Sequence, residues 1–442
     1  MPTTQAVQFI KEGMTADGVL QPYVYVFYAA FMTAFVFTPI MRSVALHYGI
    51  VDKPDLLRKL HGAPVAYLGG VAVFLGWLSG VAITQFLTLH QFHAGTDAQL
   101  RVPIGIVMAA FLIVSLGLWD DTRGVSPKVK ISGQLLAGVC LLVHGIGTHL
   151  TGFAIHNIAE RVAIRTGLGL APGAEETLVV GTSIALTLAL VVFCCNATNL
   201  MDGLDGLCGG VTAIIAAGFV FLAVVIAQGD GNFRTLEALS DAINADGLRV
   251  AIAIALLGGI LGFVPYNFNP ASIFMGDTGS MFLGFACALL MVMLGETDGK
   301  WLLAGMVMFA LPVLDTSLAF ARRYVAGRPF FSADRHHFHH QLVSRGLTVR
   351  KAVLLSYALT IAFVAFGVMV VYLRTRYAIA FYMVLFGSIV VAAYKIGMVH
   401  EKAVSVAKPT SFTASGSQQA TGETIDPGGV LEIRKDRRTP GF

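Results

Sequence analysis

Charged residues are scarce in this 442-residue chain: Asp, Glu, Lys and Arg make up 13% of the positions and hydrophobic residues 56%. About a quarter of an average soluble domain is charged. The shortage of charge therefore excludes an ordinary soluble protein and indicates a polytopic membrane protein. The 30 basic and 26 acidic residues leave a net charge of +4, so their distribution along the chain is more informative than their sum.

Cysteine is also rare. The five cysteines lie in or beside apolar runs, at Cys140, Cys194, Cys195, Cys208 and Cys287. They do not form the paired C-x-x-C spacing typical of a zinc site, so we expect them to be small apolar packing residues. The basic-then-apolar pattern of a signal peptide is missing too, because the first apolar run begins near Tyr23 and is long enough to span a membrane.

Long apolar runs, by contrast, recur along the chain. A membrane-spanning helix needs about 20 mostly apolar residues. Eleven runs approach that length: 23–41, 66–89, 103–119, 131–150, 178–195, 207–227, 250–266, 273–294, 301–320, 353–373 and 378–396. We predict an all-α polytopic membrane protein with about 11 transmembrane helices, ten being the alternative count, within a membrane domain of residues 1–400.

The basic residues indicate how these helices are oriented. With the N-terminus outside, most Lys and Arg residues fall in inside loops, including those between Arg322 and Lys351, as the positive-inside rule expects. Residues 401–442 are rich in Ser, Thr, Gly and Pro and then basic, which predicts a disordered cytoplasmic tail, with contact to anionic lipid as a further option. In this orientation every unusual polar cluster faces the cytoplasm.

The most polar turn between two spans is 196–206, which contains two carboxylates, two carboxamides and two glycines. Asp202 and Asp205 are three residues apart, so one helical turn would place them on the same face. Hard oxygen ligands of this kind suit Mg²⁺ held between carboxylates and a phosphorylated substrate. A solvated turn between two helices is the alternative interpretation.

Carboxylates also mark two other span ends. Asp120 and Asp121 are adjacent and repel each other unless a cation or base lies between them. Lys128 and Lys130 follow and supply positive charge for a phosphate, although a helix cap beside a membrane anchor is the alternative. Asp277 lies a few residues into an apolar run, where a lone carboxylate has few explanations other than metal binding.

Two further loops place polar groups on the same side. Segment 334–340 contains four His and one Arg, which suit either a Zn²⁺ site or, as we favour beside so many carboxylates, hydrogen bonds to phosphate. Segment 52–61 mixes charges ahead of Gly69 and Gly70. It is either a loop that approaches a ligand or an ordinary positive-inside anchor.

Together these clusters predict a cytoplasmic-face active-site cleft with carboxylates for a divalent cation and basic groups for phosphates. That equipment suits phosphoryl transfer, which depends on positioning and charge neutralisation. The chain has no Walker A or kinase glycine loop, so the donor binds differently from ATP in those folds, and a lipid is expected as one substrate. A secondary transporter is the rival class, but it should show paired broken helices with midplane carboxylates.

The motifs taken together resemble the polyprenyl-phosphate N-acetylhexosamine-1-phosphate transferase family, glycosyltransferase family 4. The resemblance runs from about Asp52 to about Gly346. It is carried by four motifs in the family's order: 120–121 with 126–130, 196–206, 274–280 and 336–340. Stretches 336–342 and 52–61 resemble the branch that begins O-antigen, common-antigen or teichoic-acid linkage units, and the muramoyl-pentapeptide branch is the alternative.

This resemblance implies the substrates and surroundings. The donor would be a UDP-N-acetylhexosamine, most often UDP-N-acetylglucosamine, the acceptor undecaprenyl phosphate, and the cofactor Mg²⁺, with Mn²⁺ as the alternative. The location would be the bacterial inner membrane, with the active site facing the cytoplasm. No nucleic acid partner is expected, and the oligomeric state is left open, with a homodimer as one option.

The resemblance also implies roles for individual residues. The metal would be held by Asp277 and Asn199. The catalytic positions are Asp120 and Asp121, matched to acceptor activation, Asp202 and Asp205 beside the metal, and His337 and His339. The substrate-binding positions are Lys128 for the diphosphate, Asn267 and Phe274 for the nucleoside, and Arg335, His336 and His340 for the donor.

For the reaction we expect the lipid phosphate to attack the β-phosphorus of the UDP-sugar in line. A phosphomonoester has its second pKa near about 6, so most of the acceptor already lacks that proton at neutral pH. Asp120 or Asp121 would then matter as much for placing the cation and lipid as for taking a proton. A double displacement through an aspartyl phosphate stays open as the rival route.

Overall fold

The computed structural model describes most of the chain between residues 9 and 395. The described residues are 9–11, 15–52, 65–86, 88–90, 97–167, 169, 171, 173–229, 231–233, 236–325, 327 and 337–395. The predicted tail, 401–442, and the predicted domain boundary near residue 400 lie outside these ranges and stay predictions.

Fifteen α-helices account for most of the described residues. They are α1 (Ala16–Leu20), α2 (Val24–Tyr48), α3 (Gly69–Ile83), α4 (Ile104–Arg123), α5 (Pro127–Val143), α6 (Gly152–Thr166), α7 (Ala174–Met201), α8 (Leu207–Ala227), α9 (Leu236–Asn267), α10 (Gly276–Gly295), α11 (Gly299–Met308), α12 (Ala310–Val325), α13 (Phe338–Ser344), α14 (Val349–Tyr372) and α15 (Thr375–Lys395). Short 3₁₀ turns cover Gln21–Tyr23 and Thr84–Phe86.

Among the described residues, six short strands form three antiparallel pairs outside the helices. They are β1 (Phe9–Lys11) with β6 (Gly231–Phe233), β2 (Val51–Asp52) with β3 (Val65–Ala66), and β4 (Thr88–His90) with β5 (Asp97–Gln99). In the second pair Val51 lies opposite Ala66, and Ala66 also bridges Ile273 in parallel. The segment before α3 is therefore fixed beside the segment before α10.

Helix α10 is the centre of the bundle. Every residue from Thr278 to Gly295 is buried, and the helix packs against α3, α4, α7, α9 and α11. Two glycines permit very close approach. A Cβ at Gly117 of α4 would lie 2.4 Å from the Thr278 Cα, and one at Gly70 of α3 would lie 2.1 Å from the Gly279 nitrogen. The N-terminus of α10 is thereby held against the end of α4 and the start of α3.

The predicted all-α polytopic membrane class is confirmed. In the part of the chain that the structure describes, eight helical segments are long and apolar enough to cross a membrane. There are nine if the pair Gly299–Met308 and Ala310–Tyr324, bent by 71°, is one span. Each predicted run has a helix at its position, but α5 has only 17 residues and the apolar part of α15, Arg376–Val391, is also short. The count of about eleven and the cytoplasmic direction of the cleft therefore stay predictions.

Candidate active site

The first turn of α10 is capped by a side chain from another helix. The Asp121 carboxylate, near the end of α4, accepts hydrogen bonds from the N–H groups of Asp277 (2.8 Å) and Thr278 (3.0 Å) and from the Thr278 hydroxyl (2.6 Å). Gly276 has φ +72°, and a Cβ there would lie 2.6 Å from Asp121 Oδ2. Glycine is therefore favoured at 276 both for its backbone conformation and for space.

Asp277 lies in a network of charged and amide groups. Its Oδ2 accepts a hydrogen bond from Lys130 Nζ (2.7 Å), and its Oδ1 accepts one from the Asn199 side-chain amide (2.8 Å). Lys130 also forms an ion pair with Asp120, whose other oxygen accepts the Val125 N–H at 2.8 Å. One ammonium group thus bridges carboxylates from α4 and α10, whereas Asp121 accepts hydrogen bonds from α10 instead.

The turn after α7 adds two carboxylates with different surroundings. Asp205 accepts hydrogen bonds from the Asn269 side chain and the Ala271 N–H, both at 2.9 Å, so it fixes the loop before α10. The half-buried Asp202 carboxylate has no hydrogen-bond partner among the described residues. Burial, followed by the nearby carboxylates, raises the pKa of Asp202 to about 8. Among the described residues, therefore, Asp202 has no neutralising partner.

The two predicted nucleoside-binding residues differ in exposure. Asn267 is 4% exposed; its Oδ1 accepts the Gly206 N–H (3.1 Å) and its Nδ2 donates to the Ile273 carbonyl (3.0 Å). Both ends of this amide join the turn after α7 to the segment before α10. Phe274 is half-buried, and its ring centroid lies 6.0 Å from that of Tyr67. An aromatic pair therefore borders the acidic cluster.

The histidine motif is held by a buried carboxylate on α12. Asp315 accepts a hydrogen bond from the Phe338 N–H (2.7 Å). Its Oδ2 lies 3.4 Å from His337 Nδ1 and 3.6 Å from His339 Nδ1. The carboxylate and both imidazoles are buried, so Asp315 fixes the start of α13 and the orientation of two rings together.

His339 connects α13 to the turn after α7. A Cβ at Gly203 would lie 2.3 Å from His339 Nε2, so the imidazole rests against the backbone of that turn. The His340 ring lies 4.3 Å from the His339 ring. Arg335 and His336 lie outside the described residues, and their predicted roles stay predictions.

The structure places Lys130, and not Lys128, in contact with the carboxylates. Lys128 is exposed in the first turn of α5, whereas Lys130 reaches Asp277 and Asp120. Residues two apart on a helix point about 200° apart, so only one of the pair can face the carboxylates. Asp315 was given no role by the sequence, although a carboxylate inside an apolar run was a signal for one.

The donor set fits a magnesium ion shared with a substrate. Among the described residues, no group of three His, Cys, Asp or Glu side chains could hold a metal ion. Mg²⁺, however, is often bound by one or two carboxylates plus substrate phosphates and water. Asp277 with Asn199 beside it, and the unpaired Asp202 nearby, satisfy that smaller requirement.

Replacing Asp202 by Asn should change how folding stability depends on pH. The unfolded chain loses this proton near pH 3.9 and the folded protein near pH 8. Unfolding therefore releases a proton between these values, and stability falls as the pH rises through that window. The measurement is the melting temperature in magnesium-free buffer between about pH 5 and pH 8. Over this range the wild type should lose several degrees more than Asp202→Asn, since each kcal/mol of unfolding free energy shifts the melting temperature by about 2–4 °C.

The control for this measurement is Asp241→Asn, which alters an exposed carboxylate of α9. Its melting curve should follow the wild type at every pH. Parallel pH profiles for the wild type and Asp202→Asn would contradict the assignment of a half-buried carboxylate with a raised pKa at this position.

Comparison with known proteins identifies a consistent set of relatives. The family model described as glycosyl transferase family 4 matches residues 103–295, which include the acidic residues of α4, the turn after α7 and α10. A Bacillus subtilis protein, described as a probable undecaprenyl-phosphate N-acetylglucosaminyl 1-phosphate transferase, is 31% identical over 340 residues, which cover 76% of this chain and 82% of the relative.

Two further relatives come from other bacteria. The decaprenyl-phosphate N-acetylglucosaminephosphotransferase of Mycolicibacterium smegmatis is 33% identical over 353 residues, covering 77% of this chain and 79% of the relative. The undecaprenyl-phosphate alpha-N-acetylglucosaminyl 1-phosphate transferase of Escherichia coli K12 is 27% identical over 336 residues, which cover 74% of this chain and 77% of the relative. These matches extend well beyond the motifs of the site.

Proposed function

The chain belongs to glycosyl transferase family 4, and from this membership we propose that it transfers N-acetylglucosamine 1-phosphate from UDP-N-acetylglucosamine to undecaprenyl phosphate. The printed names of the relatives support both the sugar phosphate and a polyprenyl phosphate acceptor. Among the observations on this chain, the proposal rests most directly on the convergence of Asp120, Asp277 and Lys130 at one end of the bundle.

The proposed reaction is a phosphoryl transfer between two phosphates. An oxygen of the lipid phosphate attacks the β-phosphorus of the UDP-sugar, the bond from that phosphorus to the bridging oxygen breaks, and UMP leaves with that oxygen. The product is a polyprenyl diphosphate that bears the sugar. Since the acceptor is mostly a dianion at neutral pH, the chain contributes chiefly positioning and charge neutralisation.

Different residues of this chain provide the positioning and the positive charge. Asp121 holds the first turn of α10 and so directs Asp277 toward Lys130 and Asn199. The ammonium of Lys130 supplies positive charge where two phosphates must meet. The imidazole of His339, whose Nδ1 faces Asp315, packs against the backbone of the turn after α7 and so positions that turn beside the UDP-sugar.

Mg²⁺ is the proposed cofactor, with Mn²⁺ as the alternative, held by Asp277 and Asn199 with Asp202 beside them. When bound, the metal would neutralise charge on the diphosphate oxygens. Because Lys130 already bonds Asp277 Oδ2, a cation at Asp277 competes with the ammonium for the same carboxylate. That competition would leave Lys130 available to the substrate phosphates.

The proposed setting is the bacterial inner membrane, with this end of the bundle facing the cytoplasm. The apolar helices support a multi-pass membrane protein, and the basic loops expected inside support the direction. The product would begin a cell-envelope polysaccharide such as an O-antigen, a common antigen or a teichoic-acid linkage unit.

The proposal is tested by measuring UMP release by the purified full-length chain in lipid nanodiscs. We expect release from UDP-N-acetylglucosamine that requires undecaprenyl phosphate, stops in EDTA and returns with Mg²⁺. A panel of UDP-sugars that includes the muramoyl-pentapeptide donor separates the two branches. UMP release that does not depend on the lipid phosphate, or no release at all, would contradict the proposal.

Lys128→Ala should mainly weaken use of the donor. The side chain is exposed in the first turn of α5, and a charge-assisted hydrogen bond to a diphosphate is worth about 1.5–3 kcal/mol. The KM for the UDP-sugar should therefore rise by about ten-fold or more, with a small change in kcat. Lys351→Ala, which removes an exposed lysine from the first turn of α14, is the matched control. An unchanged donor KM would count against a diphosphate contact at Lys128.

A further inference from the structure

The turn after α7, residues 202–206, is contacted at both ends by two helices that come much later in the chain. His339 of α13 rests against Gly203, near the start of the turn. Tyr357 of α14 reaches the other end, where its phenol hydroxyl donates a hydrogen bond to the Gly206 carbonyl at 2.6 Å. Side chains from two consecutive helices therefore fix both ends of the turn that carries two of the predicted catalytic carboxylates.

The contact between Tyr357 and the turn depends on two glycines. Gly206 has φ +79° and precedes the first residue of α8. Its N–H donates to the Asn267 side chain at 3.1 Å, so both polar groups of this peptide unit have side-chain partners. A Cβ at Gly210 would lie 1.9 Å from the Tyr357 hydroxyl oxygen. The lack of a side chain at position 210 therefore lets the phenol reach the backbone of the turn.

A second donor from α14 reaches the same junction. Arg350 lies seven positions before Tyr357, so the two residues share one face of the helix. Its Nε donates to the Asn269 carbonyl at 3.1 Å, and the Asn269 side chain in turn donates to the Asp205 carboxylate at 2.9 Å. Asp205 is thus held from α14 by two routes, through Gly206 beside it in the chain and through the loop before α10.

The link between α13 and α14 is short and hydrogen-bonded. Four residues separate the two helices. Within this link the Gly346 N–H donates to the Val343 carbonyl at 2.9 Å, and the Thr348 side chain caps α14. Because the link has its own hydrogen bonds, the positions of His339 and Tyr357 are set together.

We propose that Tyr357 is a positioning residue for the reaction, because its hydroxyl fixes the turn after α7 and so sets where Asp202 and Asp205 stand relative to the substrates. The proposal rests on the function proposed above, which gives these carboxylates a reaction to serve. The Asp202 carboxylate has no hydrogen-bond partner among the described residues, so its direction depends on the backbone that carries it. Tyr357 acts on that backbone, through Gly206.

Kinetics of Tyr357→Phe are the first test. This substitution keeps the ring beside Gly210 and removes only the hydroxyl. The kcat for UMP release should fall about ten-fold, because a small displacement of catalytic groups slows the reaction strongly. The KM values for UDP-N-acetylglucosamine and undecaprenyl phosphate should stay within about two-fold of wild type, since the loss concerns the transition state.

Ser356→Ala is the matched control. It removes a buried hydroxyl from the adjacent position of α14, where the hydrogen bond goes to the Ala352 carbonyl of the same helix at 2.9 Å. Its kcat should equal that of the wild type. An unchanged kcat in Tyr357→Phe, a change confined to KM, or an equal loss in Ser356→Ala overturns the assignment.

Hydrogen–deuterium exchange is the second test, and it does not depend on turnover. In the full-length chain in lipid nanodiscs, peptides that cover 202–207 should exchange about five-fold or more faster in Tyr357→Phe than in the wild type, because the turn opens more readily without this hydrogen bond. Ser356→Ala should exchange like the wild type. Equal exchange in all three proteins overturns the proposal. If the wild type released no UMP from any UDP-sugar, the proposed function would fail, and exchange would still decide whether Tyr357 holds the turn.

Discussion

Asp277→Asn is expected to reduce kcat by about a thousand-fold while the protein still folds and inserts. The substitution keeps the size of the side chain and an oxygen that can accept the Asn199 hydrogen bond. It removes the negative charge opposite Lys130 and replaces an acceptor by an amide group. Both the alignment of the ammonium and the proposed cation site depend on that charge.

Two measurements make this prediction specific. Mn²⁺ binding, followed by electron paramagnetic resonance without substrates, should weaken in Asp277→Asn along with turnover. Asp298→Asn is the matched control, because Asp298 caps α11 by accepting the Lys300 N–H at 2.9 Å, outside the acidic cluster. Normal turnover by Asp277→Asn, or an equal loss in Asp298→Asn, would show that this carboxylate has no special role.

Asp121→Asn should lose at least a hundred-fold in kcat/KM and also lower the melting temperature. The Asp121 carboxylate accepts from three donors on two residues of α10, and an asparagine turns an NH₂ group toward some of them. A buried donor left without a partner costs about 1–3 kcal/mol. The displaced first turn of α10 would misplace Asp277, so the activity loss should exceed what reduced stability explains.

Thr278→Val separates the cap from the chemistry. It removes the hydroxyl donor to Asp121 but leaves both backbone donors, so it should cost about 1 kcal/mol of stability with activity within a few-fold of wild type. Thr348→Ala, which removes the side-chain cap of α14, should cost a similar amount and leave activity unchanged. If Asp121→Asn behaved like these two variants, Asp121 would be a helix cap and nothing more.

Much of the candidate site could be predicted because its charged residues lie in or beside otherwise apolar runs. A carboxylate such as Asp277 in an apolar run is visible without knowing its neighbours, and so is the paired Asp120 and Asp121. What their neighbours are could not be predicted, because those contacts join residues far apart in the chain. The Asp121 bond to the Asp277 N–H spans 156 positions, and the Lys130 bond to Asp277 spans 147.

The different contacts of neighbouring candidate residues could be assigned only from the tertiary structure. Motif matching gave Asp120 and Asp121 one shared role, but helix geometry turns Asp121 onto the backbone of α10 and Asp120 toward Lys130. Asn267 was expected in a nucleoside pocket and is buried between two backbone segments instead. Its predicted contact with the nucleoside stays a prediction.

The sequence by itself determined the membrane class, the approximate positions of the long helices and the polar turns where chemistry was expected, because hydrophobic length and misplaced charge are local properties. Only the tertiary structure decided that Asp121 caps α10, that Lys130 rather than Lys128 meets Asp277, and that Asp315 orients His337 and His339. Caps and ion pairs depend on which helix ends are packed side by side, and close packing at glycines such as Gly117 and Gly70 sets that arrangement.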